Sequence, residues 1–106
     1  MNSFQDKINK AFKQLENLGY FVKQDFWCCQ SCAWSDVPEG TEKVVFYHQQ
    51  DTPNISKGFT WLAWRGDGQE SVDVCSKNNM YVEWDGSDRT RICIHDSKEI
   101  ADKYNN

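Results

Sequence analysis

An α+β fold, with an N-terminal amphipathic helix packed on a mostly antiparallel sheet of about four to five strands and a second short helix, follows from three features of this 106-residue chain. Apolar residues recur at helical spacing near the start. Several short runs rich in β-branched and aromatic residues come next, and turn-forming residues separate them. The length is that of a single domain, residues 1–106, large enough to bury one core.

Phe4, Ile8, Ala11, Phe12, Leu15 and Leu18 fall on one stripe, with Lys7, Asn9, Lys10, Lys13, Gln14 and Glu16 facing away, which predicts a helix over residues 3–18. Ser3 with Asp6 resembles a capping box, and Gly19 supplies a left-handed stop. Residues 20–26 alternate loosely and predict a strand that leads into a cysteine run. Residues 31–37 have room for one helical turn before the Pro38-Glu39-Gly40 turn. Residues 43–50 predict a strand with Val44, Phe46 and His48 on one face and Val45 and Tyr47 on the other; two apolar faces imply an interior position in the sheet. Asp51-Thr52-Pro53-Asn54 turns the chain. Residues 58–65 predict a strand with Phe59, Trp61 and Ala63 opposed to Leu62 and Trp64, and residues 70–79 a short helix with Val72 and Cys75 inward. Residues 80–85 and 89–95 predict a final strand pair around Asp85-Gly86-Ser87-Asp88, and Ser97 opens a short helical or frayed tail that ends at Asn106.

Composition bounds the function. The formal net charge is −4, and an acidic surface repels phosphate backbones, so duplex nucleic acid is not an expected partner. No apolar run approaches membrane length, and Met1-Asn2-Ser3-Phe4 lacks a signal pattern, so a cytoplasmic protein with no membrane partner is expected. Its five cysteines, an odd number, suit a reducing compartment better than a disulfide scaffold. Phosphate-cradling loops, dinucleotide fingerprints, His-Glu-x-x-His and Gly-x-Ser-x-Gly are all absent, and no other complete catalytic set appears. The expectation is a small binding or interaction protein for a small ligand or a protein partner rather than an enzyme.

The thiols carry the alternatives. Phe26-Trp27-Cys28-Cys29-Gln30-Ser31-Cys32 holds three of the five cysteines, and Cys29-x-x-Cys32 has the spacing of half a zinc site. The remaining ligands have to come from Cys28, Cys75, Cys93, His48 or His95; Cys29, Cys32 and His48 are the metal-site candidates, with zinc as the cofactor. Trp27 ahead of the thiols resembles the Trp-Cys-x-x-Cys of thioredoxin-like oxidoreductases, which points to a thiol redox enzyme, although no βαβ context is expected around it. Clustered cysteines also serve as small apolar packing groups at a chain reversal.

His48-Gln49-Gln50-Asp51 ends a predicted strand, where functional groups gather; His48 can act as a base oriented by Asp51, or Asp51 can simply build the turn. Trp61, Trp64 and Trp84 offer stacking surfaces, and Arg65, Arg89 and Arg91 either clamp an anionic group or pair with Asp67, Asp85 and Asp88. The candidate ligand-binding residues are therefore His48, Gln50, Asp51, Trp61, Trp64 and Arg65, for a small anionic or nucleotide-like ligand.

Three stretches, Asp25 to Cys32, Phe46-Tyr47-His48-Gln49-Gln50-Asp51, and Val82-Glu83-Trp84-Asp85-Gly86 followed by Thr90-Arg91-Ile92, stand in this order. In them the chain resembles an uncharacterised family of small bacterial domains of unknown function. The resemblance spans residues 19–94 and implies Cys28, Cys29, Cys32, His48, Gln50 and Asp51 as site residues. Ala33 stands where that pattern leads one to expect glycine.

Overall fold

Helix α1 (Phe4–Asn17) starts where the Ser3 hydroxyl accepts a bond from the Asp6 N–H at 3.1 Å, so the predicted cap forms. The computed structural model describes residues 3–104; residues 105 and 106 of the predicted tail lie outside the described residues. Phe4, Ile8, Ala11, Phe12 and Leu15 are buried, each large apolar side chain contributing about 1.5–3 kcal/mol. Two expectations on this helix fail. Leu18 is 45% exposed, because it is the C-cap and its side chain has left the stripe before Gly19 turns at φ +97°. Lys7 is not a solvated outer residue: its ammonium donates to the Asp96 carboxylate at 2.7 Å and to the carbonyls of Asn79 and Asp96. It ties α1 to the far end of the chain.

The sheet has five strands, β1 (Phe21–Lys23), β2 (Val44–Phe46), β3 (Phe59–Arg65), β4 (Tyr81–Glu83) and β5 (Ile92–His95), in the order β1-β2-β3-β5-β4. β2 lies inside the sheet with all three residues buried, as its two apolar faces imply. Three pairings are antiparallel; β1 and β2 are parallel. Helix α2 (Gln30–Ser35) lies between those parallel strands in the chain. The cysteine run therefore belongs to a β–α–β crossover, contrary to the expectation that this context is missing. Strands of three residues are too short to leave a periodic signature that would announce the parallel pair.

Two cores form on the two sides of the sheet. On one side α1 and α3 (Gly68–Lys77) cover Val45, Tyr47, Leu62, Ile92 and Ile94, with Trp64, Val82 and Trp84 packed against them. On the other side α2 seals a smaller cluster of Ala33, Val44, Phe46 and Ala63, flanked by Phe21, Phe26 and Trp34. Ala33 sits inside α2, fully buried, so its methyl group fills this core where a glycine would leave a gap. α3 ends at Asn78 and, by way of Asn79 in the left-handed region at φ +64°, turns into β4. β4 and β5 do pair, but both are shorter than predicted, because residues 84–91 form a loop held by Asp85, whose carboxylate accepts from the Ser87 N–H at 2.8 Å and the Thr90 hydroxyl at 2.7 Å. A 3-10 helix (Thr52–Lys57) precedes β3, and helix α4 (Lys98–Tyr104) closes the chain. Among the described residues, no helix is long and apolar enough to cross a membrane.

Candidate functional site

The segment after β1 leaves the sheet through two non-glycine residues in the left-handed region, Asp25 at φ +55° and Trp27 at φ +62°. A bulky residue rarely adopts that conformation, and here the surroundings hold it. The Phe26 N–H donates to the Tyr47 carbonyl at 3.0 Å, and the Gln49 N–H donates to the Trp27 carbonyl at 2.9 Å. The Trp27 indole N–H donates to the Asp36 carboxylate, and the Thr52 hydroxyl donates to that of Asp25. These bonds present Cys28, Cys29 and Cys32 at the start of α2, alongside the segment that carries His48.

The sulfurs of Cys28, Cys29 and Cys32 all lie within 4.8 Å of one another, and none is in a disulfide. Cys28 and Cys32 are 3.7 Å apart, far longer than the roughly 2.05 Å of a sulfur–sulfur bond. The two CxxC thiols are polarised in opposite senses. The Cys32 backbone N–H, followed by the Cys32 thiol, stabilises the Cys29 thiolate and lowers its pKa. Hydrogen bonding to Cys29 and then to Cys28, together with their charge, pushes Cys32 up to about 11. Deprotonated together, the three offer a soft, three-sulfur ligand set.

Among the described residues, no histidine or carboxylate joins that group at the same distance. His48 is buried, 6% exposed, with its Nε2 3.2 Å from the Asp51 carboxylate and its Nδ1 without a hydrogen-bond partner. Asp51 is also buried and accepts from the Arg91 guanidinium at 3.0 Å; Arg91 in turn lies over the Trp61 ring, 5.5 Å from its centroid. Asp51 therefore does not build its turn through its side chain, and Arg91 pairs with it rather than with Asp85 or Asp88.

The remaining candidates part company. Trp61 lies on the α2 side of the sheet, 38% exposed, whereas Trp64 faces the helices, donating to the Thr90 carbonyl and meeting Trp84 edge to face at 5.5 Å. Arg65 stacks on Trp34 at 4.8 Å and donates to the Thr41 carbonyl, and Asp67 caps α3 through the Glu70 N–H. Gln50 is exposed in the turn after His48. Cys75 is fully buried in the main core. Cys93 and His95 meet each other instead, sulfur to Nε2 at 3.5 Å, with Glu83 3.3 Å from the same nitrogen. That grouping went unread in the sequence; its only signal is the alternation that puts residues 93 and 95 on one side of β5. Arg91 is the other residue that sequence reasoning undervalued.

No curated protein and no solved structure matches this chain. A family match covers residues 2–98, taking in the cysteine run, the His48–Asp51 segment and the 82–92 stretch alike. The chain accordingly belongs to the family described as Domain of unknown function (DUF6891).

Proposed function

We propose that this protein is a small binding protein whose ligand is a thiophilic metal ion, held by Cys28, Cys29 and Cys32. One observation carries the reading: three unoxidised sulfurs stand within 4.8 Å of one another at the surface. Three thiolates suit soft ions, and zinc is the ion that the Cys29-x-x-Cys32 spacing suggests. The chemistry asked of the site is binding alone. Metal analysis of protein purified without added metal tests it: one ion per chain is expected, falling at least tenfold in Cys29→Ser, and a ratio near zero ends the reading.

A second reading, a small anionic ligand, is favoured by a cleft of about 180 Å³ between α2 and the 88–91 segment, whose lining includes Gln30, Trp34, Asp88, Arg89, Thr90 and Arg91. Arg89 is exposed, and its guanidinium has no partner among the described residues. Titration of inorganic phosphate at constant ionic strength, followed by amide NMR, should perturb these residues in the wild type and not in Arg89→Gln. Equal responses in both would count against it.

A further inference from the structure

We infer that His48 supplies the fourth ligand of the metal site through Nδ1, with Asp51 orienting the ring through Nε2. This rests on the three-sulfur reading above and goes beyond it by naming the ligand that closes the shell.

Three separate observations lead there. Zinc bound in a structural site takes four protein ligands, and the sulfur group provides three. His48 carries a buried nitrogen with nothing to bond, an arrangement that is unfavourable unless some donor or cation meets it. The other nitrogen of the same ring is 3.2 Å from a buried carboxylate. A carboxylate on one ring nitrogen and an open lone pair on the other is the arrangement that metal-binding histidines adopt, because the carboxylate fixes the tautomer and makes the free nitrogen more basic. Arg91 donates to the same Asp51 carboxylate oxygen at 3.0 Å and helps hold it in place.

The backbone supplies the means of closure. The bonds from Phe26 to Tyr47 and from Gln49 to Trp27 keep the cysteine loop beside the His48 segment. His48 lies outside the 4.8 Å sulfur grouping, so ligation requires the loop to draw in toward Nδ1. Cys28 is exposed and, with Cys29, precedes α2, so these two can shift while Cys32, in α2 beside fully buried Ala33, stays with the smaller core.

The test is ¹¹³Cd NMR of the full chain loaded with cadmium as the zinc surrogate. One bound ion per chain, with scalar coupling to β-protons of Cys28, Cys29 and Cys32 and also to a ring proton of His48, is the expected result. Asp51→Asn should then weaken metal affinity about 10–100-fold in chelator competition while the cysteine couplings persist. Bound cadmium coupled to the cysteines with no coupling to His48 overturns the inference and leaves the three-sulfur site standing. Absence of bound cadmium overturns both. Because the coupling is read in the wild-type protein, a variant that folds poorly does not obscure the result.

Discussion

Five thiols share one chain, and their surroundings sort them into two kinds. Cys28, Cys29 and Cys32 lie at or near the surface, while Cys75 and Cys93 are buried, and burial pushes the latter two up to about 12. A disulfide-exchange reagent at neutral pH should therefore titrate three thiols in the native protein and five in denaturant; five fast native thiols would contradict the burial of Cys75 and Cys93. Within the exposed group, Cys29 has the lowered pKa and Cys32 the raised one. Alkylation followed by peptide mapping across pH should show Cys29 reaching half-maximal rate at a lower pH than an ordinary thiol, with Cys32 lagging. Simultaneous modification of both would remove that polarisation. The cysteine run and the His48–Asp51 pair were legible as residues because each is local, three or four positions apart. The Asp51–Arg91 bond was not, since it joins residues 40 apart and depends on the strand order.

The elements differ in how much they announce themselves. α1 is long enough for its stripe to be read, and its cap and stop are in the residues. β1, β2 and β4 are three residues each, so neither their limits nor their direction can be taken from alternation. Short edge strands also serve a purpose, since β1 and β4 at the two edges offer few open backbone groups to another chain. α3 approaches the sheet at Gly68, where an added methyl would stand 2.7 Å from the Trp84 ring and 2.8 Å from that of Trp64. Both indoles are anchored, Trp64 on the Thr90 carbonyl and Trp84 on the Ser87 carbonyl, so neither yields easily. Gly68→Ala should destabilise the protein by about 1–3 kcal/mol, seen as a lower midpoint in urea unfolding; an unchanged midpoint would show that the rings move aside. Leu15→Ala, which empties a fully buried site, should cost about 2–5 kcal/mol by the same measurement.

Across the whole molecule, buried titratable groups make stability depend on pH on the alkaline side. Cys75 rises from 9.0 to about 12 through burial, and Tyr20 from 10.0 to about 12 through burial and then its bond to Glu70. Between its two values each group keeps its proton when folded and loses it when unfolded, so the unfolded chain gains and stability falls as pH rises. For fully buried Cys75 the slope reaches at most about 1.4 kcal/mol per pH unit; solvent near the Tyr20 hydroxyl makes its share smaller. The thermal midpoint should thus drop progressively above pH 9, and Cys75→Ala should flatten that decline; an unaltered slope would remove Cys75 as its source. The residues dictate an amphipathic helix, apolar strands, an acidic surface and a thiol cluster, because each of these is written in neighbouring positions. Which side of the sheet each tryptophan serves, the parallel course of β1 and β2, and the seating of Asp51 between His48 and Arg91 came from strand order and packing. Such contacts join distant stretches of chain, and their energies exist only once the sheet has assembled.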